Sequence, residues 1–502
     1  MTAAPIKKVV IAGRDAAAWL SANALLKAFQ ASGLKVEVVE LPTLLRVQDV
    51  VASQPALEAF HRLLGFDEHE VLKATAGIYS LGQSFANFSG AAPAFLHPYG
   101  SHGASLGKVA FHQVWVKARQ AGMNVAFEDF SLVAVAAKQG KFFAADSDIS
   151  SFARCDYAYH LNAAAYVRYL KAHALRRGAV VTTARHLGVE RDAQTGHIQA
   201  LTLGDGRRVE GDLFIDATGA DSLLLGGALE TPVDSWAHWF PADRLLAVAG
   251  ERLRSLPSFS QVRAVQGGCL HVTPTQDMLG LVYAYGGRDM SDDEAFQAVA
   301  VTAGTRVAPD ATVTPLSPGR RTSAWVGNCV AVGEAACVFD PIDNVGLHSL
   351  QMGLAHLITL FPLDSDCAVE AKDYNRVIRS SLERLRDFQI THFKLNKVPG
   401  SRRWDMLRDM AVPEMLDYKI EQFKARGTVV LYDDETFQSD DWLSVFIGHG
   451  CIPRVYDPLV DLTDQDAAIR HVQQILGFIR QKVEDMSSHD AYIEMFASRD
   501  FA

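Results

Sequence analysis

Short β-branched runs flanking one Ala- and Leu-rich stretch set the pattern at the start of the chain. Residues 8–13 (KVVIAG) and 35–40 (KVEVVE) read as strands, and residues 15–30 between them read as a helix. Strand, turn, helix, strand predicts a βαβ unit with parallel strands. Two more strands are expected far downstream, at 212–219 (DLFIDATG) and 327–333 (GNCVAVG), the latter leading into a helix near Glu334. From about 225 to 325, alternating stretches such as Leu281-Val282-Tyr283-Ala284-Tyr285 sit between Pro, Gly and Ser turns, which predicts an antiparallel sheet layered on the first domain. Residues 344–363 form a long uncharged run, but they include His348, Gln351 and His356 and so predict a buried helix, not a membrane span. From about 369 onward the pattern is mostly helical. The expected division is 1–368 for an α/β domain with inserted sheet segments and 369–502 for a mainly helical part.

Composition narrows the function classes. The chain has 502 residues, several times the ~150 of one typical domain, so it buries a sizeable core. Lys plus Arg at 48 against Asp plus Glu at 58 gives a formal charge of -10, which argues against a protein that tracks a nucleic-acid backbone. Six cysteines are scattered at 155, 269, 329, 337, 367 and 451 without a C-x-x-C, and a reduced, cytoplasmic setting is expected. Lys7 and Lys8 precede too short an apolar stretch for a signal peptide. Neither a membrane nor a nucleic acid is expected as a partner.

The first βα turn is where a dinucleotide site would be read. Glycines there let the backbone approach a pyrophosphate lying on a helix N-terminus. Against the pattern G-x-G-x-x-G, Gly13 holds the first place, Asp15 the second and Ala18 the third, with Ala16 between them. Alanine is tolerable at the third place. A carboxylate ~4 Å from a phosphate costs on the order of 4 kcal/mol at an effective dielectric of 20, unless Asp15 turns away to cap the helix. Glu40, closing the second strand, is either the acid that takes an adenosine ribose hydroxyl or an ordinary strand-end acid.

Other segments carry a resemblance. They are Tyr157-Ala158-Tyr159-His160-Leu161 before a helix ending Arg176-Arg177-Gly178, Asp216-Ala217-Thr218-Gly219, Asp234-Ser235-Trp236 to Asp243-Arg244, Gly319-Arg320-Arg321, Gly327 to Gly333, Asp373-Tyr374-Asn375, Arg386 to Phe393, and Asp441-Trp442-Leu443 to Gly450. In order and spacing the chain resembles the flavin-dependent tryptophan halogenase family almost end to end. The resemblance implies a box-like FAD domain of the aromatic-hydroxylase type with a helical part that holds an aromatic substrate. It also implies a reaction in which reduced FAD, oxygen and halide yield hypohalous acid, delivered to a lysine beside the substrate with help from a glutamate.

The family's key places differ here. Its lysine segment, T-Y-K-L-G-I-R-F-x-N-W, aligns with residues 78–88 and puts Ser80 at the lysine. The glutamate segment aligns with Phe339 to Gly346 and puts Asp343 at the glutamate, with an anion nest before Gly346 retained or, alternatively, Asp343 serving as a loop cap. The W-x-W-x-I-P motif aligns with Cys269 to Pro274, so both tryptophans are lost and His271 is the titratable newcomer, a proton handler or a satisfied core histidine. The G-V-G-E loop becomes Arg46-Val47-Gln48-Asp49, in which Arg46 binds a phosphate, fills the pocket or is a surface charge. Gly219 and Gly333 serve tight turns with or without a flavin. His97, Tyr99, Trp236, Trp239 and Phe393 line an aromatic pocket or belong to the core.

Two classes of function follow. In the first, the chain keeps FAD, with weakened binding, at Gly13, Ala16, Ala18, Glu40, Arg46, Asp216, Gly219, Gly333 and Gly346, and oxidises an aromatic or indole-like substrate without halogenating it. Asp343 and His271 are then the proton handlers, Ser80 replaces the lysine, and a flavin reductase supplies electrons. In the second, FAD binding is lost and the chain is a non-catalytic homologue that binds a small molecule or a paralogous chain. A homodimer is compatible with either.

Overall fold

The computed structural model describes residues 5–144 and 154–497. The chain divides into two compact units, each assembled from three segments. The first comprises Met1–Gly77, Leu161–Phe240 and Pro315–Glu383; the second comprises Ile78–His160, Pro241–Thr314 and Arg384–Ala502. The border expected near residue 368 falls inside the third segment of the first unit.

The first unit is built on a six-stranded sheet in the order Trp325–Val326, Cys329–Ala331, Leu213–Ala217, Lys8–Gly13, Lys35–Glu40, Val180–Thr183. All neighbours run parallel except the first pair. Val9, Val10, Ile11 and Ala12 are fully buried in succession, the continuous apolar pattern of a parallel strand covered on both faces. The βαβ expectation therefore holds, with the helix at Asp15–Ala28. Asn23 fastens that helix to the helix Ala163–Arg176, since its amide donates to the Leu170 carbonyl at 2.8 Å and its Oδ1 accepts from Arg177 at 2.7 Å. The uncharged run of 344–363 forms a helix over Gly346–Thr359, with Leu350, Gly353, Leu354 and Leu357 buried. The helix expected near Glu334 is instead a single 3-10 turn, Gly333–Ala335. Gly333 sits in the left-handed region at φ +58, and the short strand Cys337–Val338 follows directly, leaving no length for an α-helix.

The second unit holds a seven-stranded sheet in which Arg244–Gly250, Leu279–Tyr285, Gly268–Pro274, Ser260–Val265, Gly82–Ala86 and Phe95–Pro98 are successive neighbours. The antiparallel sheet expected between 225 and 325 is thus completed by two strands from 82–98. On one face Leu246, Val248, Leu270, Val272, Leu281 and Tyr283 pack with Ala295 and Val299 of the helix Asp292–Thr302. Ser291 and Glu294 form a capping box at the start of that helix, which fixes where it begins. Beyond residue 384 the unit is helical, with Arg402–Asp409, Glu414–Arg426, Ser439–Gly448, Gln465–Glu484 and His489–Ala497. The six cysteines are free thiols. Among the described residues, no helix is long and apolar enough to cross a membrane.

Candidate functional site

Ligands of parallel α/β sheets bind beyond the carboxyl ends of the strands. In the first unit that end gathers most of the residues expected there. Gly13 pairs with Ala217 and with Glu40, so the ends of three adjacent strands are level. A Cβ on Gly13 would lie 2.5 Å from the Ala217 carbonyl oxygen, so only glycine lets these strands end side by side. Ala18 is fully buried, which is what close helix-to-strand packing asks of the third motif place. Gly333 projects toward Ala17 of the first helical turn, 3.8 Å from the Cβ it would carry, and Gly219 turns beside it at φ +82.

Asp15 has a backbone conformation that favours glycine. Its φ is +56, a left-handed conformation that costs a non-glycine residue roughly 1 kcal/mol and that aspartate tolerates better than most. Its carboxylate does not cap the helix. The N-cap is Arg14 without a side-chain bond, and Asp15 instead accepts from the Thr43 hydroxyl and from Leu44 N at 3.4 Å. The strand-end charge is acidic all the same. Part of Glu334 reaches solvent, but desolvation of its carboxyl and the nearby Asp15 carboxylate hold it above the usual range.

Asp216 has a structural task. Its fully buried carboxylate accepts from Thr218 N and Oγ1, Ser222 Oγ, Leu224 N and Leu225 N, at 2.7 to 3.1 Å. Five donors engage it, so this side chain braces its own loop. Glu40 is also engaged, by Lys171 and Trp19. Arg46 begins a turn in which its amide donates to Asp49 Oδ2 at 2.9 Å and its carbonyl accepts from Asp49 N.

Asp343 is buried in the 3-10 turn Pro341–Asp343, and its carbonyl accepts from Gln54 Nε2 at 2.6 Å. The carboxylate that caps this turn is Asp340, accepting from Ile342 N; a cap at N-cap position, two residues ahead of the donor, was the signal available in the sequence. Asn344 at φ +53 then turns the chain, and Gly346 opens the next helix with nothing within 4 Å of its Cβ position.

Ser80 and His271 belong to the second unit. Ser80 is buried, and its hydroxyl donates to the Gly82 carbonyl at 3.1 Å. His271 pairs with Val262, and Val262 with Phe85, so the three side chains share the face opposite Leu270 and Val272. Phe85 in turn stacks on Phe95 and on His392. Neither ring nitrogen of His271 meets a hydrogen-bond partner among the described residues, and burial pushes its pKa down to about 3. It is therefore neutral at physiological pH, and the ring can offer or accept a hydrogen bond. Trp236 and Phe393 are core, packed on Phe339 and Trp404 respectively.

Two charged clusters in the second unit were not found in the sequence; the first draws on distant segments, the second on residues 419–442. His97 Nε2 lies 3.2 Å from Asp441 Oδ1, which also takes Arg154 Nη2 at 3.2 Å. Lys419 is buried against Glu435 with its ammonium 3.8 Å from the centre of the Trp442 ring. Desolvation lowers the Lys419 pKa even with Glu435 beside it.

The chemistry of the turn fits a dinucleotide. Gly13, the alanines of the first helical turn and the positive-φ residues Gly219 and Gly333 carry no long side chain that would block a pyrophosphate, while Asp15 and Glu334 oppose its charge. Comparison with known proteins points the same way. The family model for tryptophan halogenase matches residues 8–465. Tryptophan 6-halogenase ThaL of Streptomyces albogriseolus is 25% identical over 95% of each chain. Among solved structures, BrvH, a flavin-dependent halogenase from Brevundimonas sp. BAL3, is 32% identical with a TM-score of 0.93, over 98% of this chain and 99% of that one. Xcc4156, a flavin-dependent halogenase from Xanthomonas campestris, is 30% identical with a TM-score of 0.94 over 98% of both chains. The chain belongs to the tryptophan halogenase family.

Proposed function

We propose that this protein is a FAD-dependent oxidoreductase that oxidises a flat, indole-like aromatic substrate and does not deliver halogen through a lysine. The observation that carries this reading is Ser80. At the family's lysine place there is a buried hydroxyl already bonded to the Gly82 carbonyl, and a hydroxyl forms no chloramine. FAD, when bound, supplies the two-electron chemistry with oxygen. Gly13, Ala16, Ala18, Gly219 and Gly333 would hold its pyrophosphate by backbone contact, and Glu40 its ribose. Asp343 keeps a carboxylate at the glutamate place, and neutral His271 offers a substrate N–H or O–H a hydrogen-bond partner. A separate flavin reductase is the partner this chemistry requires.

Titration with oxidised and reduced FAD, followed by oxygen-electrode traces with indoles, tests the reading. Binding in at least one redox state, substrate-dependent oxygen uptake and no halogenated product in chloride or bromide are expected. Halogenated indole from the unmodified protein would overturn it. Ser80→Lys alone is expected to give no chlorinated product, because the family's glutamate and both tryptophans are also replaced, by Asp343, Cys269 and His271. Asp15→Gly is expected to tighten FAD roughly tenfold by removing a charge close to the phosphates.

A second reading, a homologue without flavin chemistry, is favoured by the acidic pair Asp15 and Glu334 at the turn. Absence of FAD binding in both redox states is its expected signature.

A further inference from the structure

The carboxylate of Glu40 sits where an adenosine ribose presents its hydroxyls, at the end of the second parallel strand, and it is already occupied. Lys171 Nζ donates to Oε1 at 2.8 Å and to Oε2 at 2.7 Å, and Trp19 Nε1 donates to Oε1 at 3.3 Å. The Lys171 ammonium also lies 5.2 Å from the centre of the Trp19 ring, so the indole and the carboxylate hold it from two sides. A carboxylate offers about four acceptor sites. Both on Oε1 are filled and one remains on Oε2, enough for one ribose hydroxyl and not for a bidentate pair. The Lys171 and Glu40 side chains are 35% and 20% exposed, so a nucleotide can reach the pair and compete with it.

We propose that Lys171 is an affinity-determining residue of the nucleotide site: its ammonium holds the Glu40 carboxylate that an adenosine ribose needs, so FAD gains one ribose hydrogen bond here in place of two. The inference rests on the flavin reading above and concerns its adenosine end alone. Removing the ammonium without shortening the side chain, as in Lys171→Met, frees two acceptor sites. Lys171→Arg keeps a cation and two donors facing Glu40.

Fluorescence titration with FAD and with FMN, which has no adenosine, separates this from a general loosening of the fold. Lys171→Met is expected to bind FAD roughly three- to tenfold more tightly than the unmodified protein, with FMN changed by less than about twofold and Lys171→Arg close to unmodified. Trp19 is a reporter within the same contact: quenching on FAD addition should shrink in Trp19→Phe. Weaker FAD binding in Lys171→Met would mean that the ammonium attracts the nucleotide, and would overturn the proposal. Unchanged FAD affinity, or an equal change for FMN, would overturn it while leaving the flavin reading intact. No FAD binding in any of these proteins, in either redox state, would take down both.

Discussion

Asp216→Ala is expected to lower the stability of the flavin-free protein by about 3–5 kcal/mol, a fall of roughly 10 °C in the melting temperature of the first unit. The size follows from what the side chain leaves behind. Thr218 N, Leu224 N and Leu225 N belong to buried residues and point at the two carboxylate oxygens, together with the hydroxyls of Thr218 and Ser222. Each backbone donor stranded without an acceptor costs about 1–3 kcal/mol, and none can turn to water without opening the loop. Asp216→Asn gives the sharper experiment. An amide has the same shape, but its NH2 would face backbone N–H groups whichever way it flips, because both oxygens accept from at least one. Asparagine is therefore expected to cost nearly as much as alanine, read as denaturation midpoints without flavin. A stable Asp216→Asn protein with weakened FAD affinity would return Asp216 to the cofactor-binding role expected from its motif.

Asp216 also marks the limit of what the sequence could show. The strands 8–13 and 35–40 and the helix between them were legible because a buried parallel strand writes itself as a β-branched run and its crossover helix as an Ala/Leu run, both local signals. A local motif, Asp-Ala-Thr-Gly, likewise placed a carboxylate at a strand end. It did not say where that carboxylate points, since three of its five donors come from residues 222–225 in the next loop. The same gap separates Glu40 from Lys171, 131 residues on, and His97 from Asp441, 344 residues on. Partner choice at such separations depends on which segments the fold brings together, and interleaved three-segment units hide this from a linear reading. Asp15 shows the converse case. Its charge suggested a spoiled turn, whereas its backbone adopts a conformation that favours glycine and its carboxylate leaves for Thr43 and Leu44.

Acid is expected to destabilise the protein steeply below about pH 6.5, through histidines whose neutral form the fold holds. Burial pushes His61, His160 and His271 down to about 3, and His348 and His489 to about 4. In the unfolded chain these rings titrate near 6.5. Between about pH 3 and 6.5 the unfolded state therefore binds protons that the folded state does not, so stability is full above 6.5 and falls as pH falls. Each such ring contributes up to about 1.4 kcal/mol per pH unit below 6.5, which sets an upper bound for the five of about 10 kcal/mol by pH 5. Asp156 and Glu334, both raised above their usual carboxylate range, work in the opposite sense, but His112, His173, His392 and His449 are also lowered and add to the histidine effect. His271 isolates one term. Because neither of its ring nitrogens meets a partner among the described residues, His271→Leu removes a titrating group and strands no polar neighbour. The loss of stability between pH 7.5 and pH 5, measured as urea midpoints, is expected to be smaller in this variant by about 1–2 kcal/mol. An unchanged pH dependence would mean that His271 is protonated or bonded in the folded protein. It would then be the proton handler its position in the sequence suggested, and the place to look for the substrate's proton would move back to this ring.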